Sequence, residues 1–392
     1  HDQVGNRALG ERIDTIAEAD AVTAALAVRL LAPSPPLLFM GEEFAATTPF
    51  LFFCDFHGEL GEAVTKGRRS EFAQFASFSG TEGESQIPDP NELKTFTDSK
   101  LDWHSLNEVR HQERLQLCKD LLALRQEAVV PGLMGTDPIN ASYETIGPTA
   151  ISVKWQLRDG SHLAMLINLG SEPCPFSAEL CPEAASLIYC QPDALAVALF
   201  SELASEVTLP PWSVAVFLDG ARAHSDSRHS TINALQARVT SRFGPSQTGE
   251  SAVSLNTDLE ALTHIPDATY RLQLHRGFNF PDASQIVPYL HQLGISHCYC
   301  SPYLKARPGS THGYNITDHT RLNPEIGTQA QFNQFVRTLH THNMGHILDT
   351  VPNHMGIMGR DNKWWLDVLE NGPASPYSQF FDIDWTPLRP EM

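Results

Sequence analysis

The stretch richest in chemistry is Asp349-Thr350-Val351-Pro352-Asn353-His354, in which a carboxylate, a carboxamide and an imidazole follow an apolar run. In a parallel barrel the carboxyl ends of the strands carry the active site, so polar groups in this place are candidates for substrate contact. A second reading stays open on spacing alone: Asn353 caps a turn and Asp349 is a satisfied buried acid. Upstream, Arg307-Pro308-Gly309-Ser310-Thr311-His312-Gly313-Tyr314 reads as a long loop, either ligand-binding or a plain connection. At the other end of the sequence, His1-Asp2-Gln3-Val4-Gly5-Asn6-Arg7 brings an acid, an imidazole and a guanidinium into seven residues. Cleaving a glycosidic bond uses such groups, because a carboxylate steadies an oxocarbenium-like transition state while hydrogen bonds to ring hydroxyls tighten. A polar, solvated chain end explains the same residues.

Other clusters have equally plain readings. Phe50, Phe52, Phe53 and Phe56, with Asp55, His57 and Glu59, form either a stacking wall for a sugar or a piece of core. Trp364-Trp365, near Asp361 and Asp367, either stacks on a ligand or packs a helix, and His297 in an apolar run reads as a core histidine. Cys298 and Cys300 alternate in that run, which places both on one buried strand face rather than around a metal.

These residues need elements to hold them. Leu117, Leu121 and Leu124 share a helix face, and Pro33-Ser34-Pro35-Pro36 ends an Ala-rich helix before the short strand-like run 37–41. From 140 to 220 the period changes to two, with Ile151, Val153 and Trp155 alternating with Ser152 and Lys154, and with Val214 and Val216: a small β domain of sandwich type. Residues 221–264, rich in Ser, Thr, Ala, Gln and Arg, read as a flexible linker with a short helix near 232–239. From Ala268 the order is strand (269–274), helix (286–293), strand (295–300), helix (332–339), strand (346–351). Gly294 and Gly345 stand where helix ends are expected. The alternation predicts parallel strands with helices outside, and three barrel strands fit before Met392.

A length of 392 residues predicts two or three folding units. A net charge of -19 argues against nucleic acid as a partner, and no run reaches the roughly 20 apolar residues of a membrane span. Seven scattered cysteines suit a reducing cytoplasm better than a disulfide framework. The first residue is His1 rather than Met, so natural sequence is expected before it.

Longer strings make the reading specific. His1 to Arg12 (HDQVGNRALGER), Leu37 to Phe44, Thr48 to Asp55, Gly67-Arg68-Arg69 and Ser99 to Trp103 resemble the last quarter of the malto-oligosyltrehalose trehalohydrolase barrel, and 140–220 resembles that family's carboxyl-terminal domain. Ala268 to Leu274, Lys305 to Tyr314, Leu322 to Glu325, Asp349 to His354 and Asp367 to Pro373 resemble the start of malto-oligosyltrehalose synthase. Both families are of alpha-amylase type. The resemblance implies an α/β fold with two partial (β/α)8 TIM barrels, at 1–135 and 268–392, separated by the β domain and the linker. It implies a catalytic role for Asp2 as the family's third acid, with His1 at the same sugar and Asn6 and Arg7 also on the substrate side. It implies that Asp349, Asn353 and His354 form the first signature region, with His354 at the reacting sugar, Asp349 its electrostatic partner and Tyr314 against that sugar. No cofactor or metal is implied. The expected partners are malto-oligosaccharide or malto-oligosyltrehalose and the missing barrel segments of the same parent chain, with no nucleic acid and no membrane.

The hydrolase-like portion begins after the strands that carry that family's nucleophilic Asp and acid Glu, and the synthase-like portion stops before its own. A retaining glycosidase needs two carboxylates about 5 Å apart, so the chain as it stands is expected not to turn over. The expected parent is a bifunctional enzyme. The rival expectations are a carbohydrate-binding or structural remnant, and an ordinary starch hydrolase or branching enzyme.

Overall fold

The computed structural model describes residues 2–73, 75, 78, 86–135, 137–182, 185–199, 206–219 and 265–386. The expected linker at 221–264, with its short helix, lies outside the described residues, as does His1. The chain divides into two compact units, His1–Asp267 and Ala268–Met392. Among the described residues no helix is long and apolar enough to cross a membrane.

In the first unit the helices α1 (Ala19–Leu31), α2 (Gly58–Phe72) and α3 (Val109–Leu124) precede a β domain. Ala and Leu favour α1, and Ala24, Ala27, Leu30 and Leu31 are fully buried. The residue before Pro33, Ala32, is extended (ψ 154°), because a following proline disfavours the helical conformation. The expected strand in 37–41 shrinks to Leu37–Leu38. In α3 the buried stripe is His111, Cys118, Leu121 and Leu122, so of the leucines read as one face only Leu121 is fully buried. A π-type turn, Arg125–Val129, continues α3 and turns Arg125 inward.

There the Arg125 guanidinium, 1% exposed, donates to the carbonyls of Leu30 (3.1 Å), Ala32, Pro33 (3.1 Å), Ser34 (3.2 Å) and Asp267 (2.7 Å). These include carbonyls at the carboxyl end of α1, which have no partner within the helix and carry its partial negative charge. Burial lowers the Arg125 pKa to about 10, which leaves it charged at neutral pH.

The β domain has strands β1 (Asn140–Thr145), β2 (Ala150–Gln156), β3 (His162–Asn168), β4 (Cys174–Ser177), β5 (Ser186–Gln191), β6 (Glu206–Leu209) and β7 (Ser213–Asp219). An antiparallel sheet of order β1-β2-β3-β7-β5 and the pair β4-β6 share a core that includes Leu166, Phe176, Leu187, Leu209 and Phe217. The period of two in β2 holds, but its buried phase is Ala150 and Ser152 (each 3% exposed), while Ile151, Val153 and Trp155 are half-buried.

In the second unit β8 (Thr269–Leu272), β9 (His297–Cys300) and β12 (Gly345–Leu348) lie parallel, with β9 in the middle. Helices α4 (Phe280–Leu293) and α5 (Gln329–Thr341) connect them, each opened by a reciprocal cap, Asn279 with Asp282 and Thr328 with Gln331. Gly294 closes α4 with φ 97°, as expected. Gly345 does not close α5; Asn343 supplies the left-handed residue (φ 51°) and Gly345 opens β12. A Cβ at Gly345 would lie 2.5 Å from the His297 ring, so glycine there allows His297 to pack against the neighbouring strand. The expected loop at 307–314 is the end of an antiparallel hairpin, β10 (Leu304–Ala306) with β11 (Ile316–Leu322). Finally α6 (Lys363–Asn371) carries both tryptophans of the Trp364-Trp365 pair.

Candidate functional site

Successive residues of a strand face opposite sides, and the second unit uses this sharply. Tyr270, Leu272, Cys298 and Cys300 are all at most 3% exposed, and His346, of the same phase, packs beside Phe332 and Phe335 of α5. The other phase carries Arg271, Tyr299 and Ile347, which are neighbours across the sheet. The Arg271 guanidinium lies 4.5 Å from the Tyr299 ring centroid and has two further partners. It donates through Nη1 to Asp349 Oδ2 (3.0 Å) and through Nη2 to the Tyr314 hydroxyl (2.9 Å), and that hydroxyl donates to the same Asp349 oxygen (2.5 Å). Asp349 stands one residue beyond β12, and its amide extends the ladder to Cys300 O (3.0 Å).

This triangle is electrostatically closed. Burial alone would lower the Arg271 pKa, but Tyr314 and Asp349 outweigh it and hold the group above its ordinary value. Burial and donation to the Asp349 carboxylate raise the Tyr314 pKa, which keeps the phenol protonated.

Tyr314 arrives on a pinned segment. Glu325 accepts from the Gly309 amide with both oxygens (3.0 Å each), and Gln273 donates to the carbonyls of Thr311 (3.1 Å) and His312 (3.3 Å). Gly313 has φ 81°, and a Cβ there would meet Pro302 O at 2.3 Å, so the turn needs glycine. His312 stacks on Tyr314 with ring centroids 6.0 Å apart, and its Nδ1 accepts from the Tyr314 amide (3.0 Å). Burial lowers the His312 pKa, which favours the neutral ring that this acceptor role requires.

Asn353 and His354 reach the same segment from its other side. His354 Nε2 lies 2.9 Å from the Tyr314 carbonyl oxygen and Nδ1 lies 3.0 Å from Asn353 Oδ1. Tyr314 thus meets Asp349 with its side chain and His354 with its backbone. Beyond His354 opens a cavity of about 530 Å³, lined among others by His319, Asn353, Trp364, Trp365 and Phe380. Asn362 caps α6 by accepting from the amides of Trp364 and Trp365 (3.1 Å each). Trp364 stacks on Tyr377 (5.3 Å, 7°), and Trp365 packs against Phe381.

Tyr314, Asp349, Asn353 and His354 therefore come together. The other candidates lie in the first unit. Asp2 stands in the short helix Asp2–Gly5, and its side chain lies outside what the structure describes. Asn6 is exposed, and Arg7 is 43% exposed and pairs with Glu11 (3.1 Å), an arrangement expected on any surface. The backbone there is nevertheless held, because buried Arg68 donates to Gly5 O (3.1 Å) and Arg7 O (2.8 Å). Phe50 and Phe53 pack edge-to-face with Phe39 and Phe96, whereas Phe52 and Phe56 stay 41% and 45% exposed. Among the described residues no group of three or more His, Cys, Asp or Glu could hold a metal ion. Sequence reasoning gives no role to Arg271, Gln273 or Arg68.

Residues 283–391 match the alpha-amylase catalytic domain, and residues 138–216 match a domain of unknown function, DUF3459. The chain is 44% identical over 124 residues to a protein of Mycobacterium tuberculosis named as a maltooligosyl trehalose synthase, covering 30% of this chain and 16% of that one. It is 48% identical over 130 residues to the malto-oligosyltrehalose trehalohydrolase of Deinococcus radiodurans, covering 32% of this chain and 20% of that one. It also aligns with a solved maltooligosyltrehalose synthase from Arthrobacter ramosus at 45% identity and a TM-score of 0.29, over 30% of this chain and 16% of that chain. The chain thus has homologues bearing both names, spans between 16% and 30% of the length of these curated relatives, and has an alpha-amylase domain whose fold is of the α/β, TIM-barrel type.

Proposed function

We propose that the chain is part of a two-activity glucan enzyme. The second unit contributes to a site that converts the reducing-end α-1,4 linkage of a maltodextrin to α,α-1,1, and the first to a site that releases trehalose from the product. The observation that carries this reading is the meeting of Asp349, Tyr314, Asn353 and His354 beyond the carboxyl ends of parallel strands, within the region that matches the alpha-amylase catalytic domain.

In this reading Tyr314 offers a ring face to the reacting sugar, and His354 and Asn353 hold its hydroxyls. Asp349, fixed by Arg271 and Tyr314, places negative charge where positive charge develops on the sugar, a field that costs no reorganisation during reaction. Isomerisation requires that water be excluded while the departing glucose turns and attacks the glycosyl intermediate; hydrolysis requires that water enter. On the first unit Asp2 supports the transition state, with His1, Asn6 and Arg7 toward the substrate. The nucleophile and the acid for each step belong to other parts of the longer protein. All seven cysteines are free, which suits a reducing cytoplasm.

The test uses the natural full-length protein. Asp2→Asn should abolish trehalose release but still build non-reducing maltodextrin. His354→Ala should block formation of the non-reducing end and leave added malto-oligosyltrehalose cleavable. Equal damage to both steps by either variant would refute two separate sites, and sugar binding without any turnover would favour a carbohydrate-binding role.

A further inference from the structure

The helix that carries Asp2, Asp2–Gly5, is a single turn, too short to hold its place by its own hydrogen bonds. Its position is imposed from other parts of the first unit. Gly10 O accepts from the Phe50 amide (2.8 Å), and at φ 59° Gly10 has Phe50 O only 2.3 Å from where a Cβ would stand. Buried Arg12 donates to Thr48 O (2.7 Å) and Met40 O (2.9 Å). Nearest to Asp2 is Arg68, whose Nη2 donates to Gly5 O (3.1 Å) and Arg7 O (2.8 Å), where the turn ends and carbonyls lack helical partners.

Arg68 is itself firmly held. Its side chain is 6% exposed, and its guanidinium packs on two rings, 4.9 Å from the Phe52 centroid and 4.6 Å from that of Phe72. Nη1 donates to Glu71 (3.0 Å). The helix that bears it, α2, is tied in turn to the segment 89–91, since Thr65 donates to Asp89 (2.7 Å) and Asn91 donates to Gly61 O (3.1 Å). A guanidinium on two backbone carbonyls makes charge-assisted bonds, stronger than the neutral bonds of an ordinary turn.

We propose that Arg68 is the positioning residue of the trehalose-releasing site: by holding the carbonyls of Gly5 and Arg7 it sets where the Asp2 backbone stands. The inference rests on the two-activity reading above and adds a residue to which that reading gives no role. A group that supports the transition state is felt in kcat more than in KM, and a misplacement of about 1 Å can cost on the order of a hundredfold.

The test uses the natural full-length protein, with malto-oligosyltrehalose added and trehalose release followed. Arg68→Ala should lower kcat by roughly tenfold or more with KM little changed, while formation of the non-reducing end from maltodextrin keeps the parental rate. Guanidinium ion should restore part of the lost kcat, and methylammonium should not, because an ammonium lacks the planar fork. If Arg68→Ala does not fold, Arg68→Lys, which can keep one carbonyl bond, should show a smaller fall in kcat at the same KM. Arg125→Met is the stability control: it too removes a buried guanidinium from backbone carbonyls, and it should lower Tm without changing kcat below the melting range. Parental kcat in Arg68→Ala, with Asp2→Asn inactive, would overturn the positioning role and leave the two-activity reading standing. A fall in kcat that Arg125→Met matches and guanidinium does not reverse would also overturn it. A parent that releases no trehalose would refute the reading and the inference together.

Discussion

Replacing Arg271 by Gln tests whether the Arg271–Asp349–Tyr314 triangle is a held charge or a decoration. At the observed 3.0 Å, with an effective dielectric of about 20, the gross attraction between Arg271 and Asp349 is roughly 5 kcal/mol. Desolvation offsets part of this, and removing one partner of a fully buried pair costs about 3–5 kcal/mol. Here the side chains are 14% and 18% exposed and Tyr314 still donates to Asp349, so a loss of about 2 kcal/mol is expected. The assay is urea unfolding of the parent, Arg271→Gln, Asp349→Asn and the double variant, followed by fluorescence and circular dichroism. A loss of this size moves a urea midpoint by about 1 M. The double-mutant cycle should return a coupling near ~2 kcal/mol, and Arg271→Lys should recover only part, because an ammonium lacks the fork that reaches Asp349 and Tyr314 together. A coupling below about 0.5 kcal/mol, the level of an exposed ion pair, would refute the reasoning.

Three other perturbations follow from the geometry. Arg125→Met leaves several buried carbonyls without a donor and should destabilise the first unit by about 3 kcal/mol, read by thermal unfolding. Gly345→Ala puts a methyl 2.5 Å from the His297 ring and should cost about 1–3 kcal/mol, whereas Gly67→Ala, with nothing within 4 Å in α2, should cost nothing or stabilise. Burial lowers the pKa of His346, with His340 adding to the effect, below its ordinary 6.5, and burial lowers that of His312. The folded state therefore holds fewer protons than the unfolded one; its stability is full above pH 6.5 and falls as pH drops below it. In melts from about pH 7.5 to 5, His346→Gln should flatten the decline, and an unchanged slope would count against it.

What is legible in the sequence follows from period. The alternation of the second unit shows because its helices keep apolar residues at 3.6 spacing and its strands are short apolar runs, so α5 and β9 fall close to where expected. The hairpin is not legible, because β11 (Ile-Thr-Asp-His-Thr-Arg-Leu) is polar along most of its length and pairs with only three residues. The end of α5 differs from expectation because an asparagine, Asn343, takes the left-handed conformation that a glycine usually supplies. Arg271 is easily passed over as a single charge in an apolar string, although it carries a signal. Thr269, Arg271 and Gln273 are polar at every second position, while Tyr270, Leu272 and Leu274 between them are at most 3% exposed, so one face of the strand and its extension is reserved for polar contacts.

That polar face explains how distant residues hold one geometry. Arg271 and Gln273 lie two apart on β8 and its extension; Arg271 fixes the Tyr314 side chain and Asp349, while Gln273 fixes the backbone just before Tyr314. Glu325 and Gly313 fix the same segment independently, so the ring position is over-determined before any ligand arrives. Rigidity of this kind lowers the entropy lost on binding and is what a charge-stabilising site requires. On the far side of His354 the walls are aromatic faces on α6 and the turn after it, held by the Asn362 cap and by ring stacking rather than by charge.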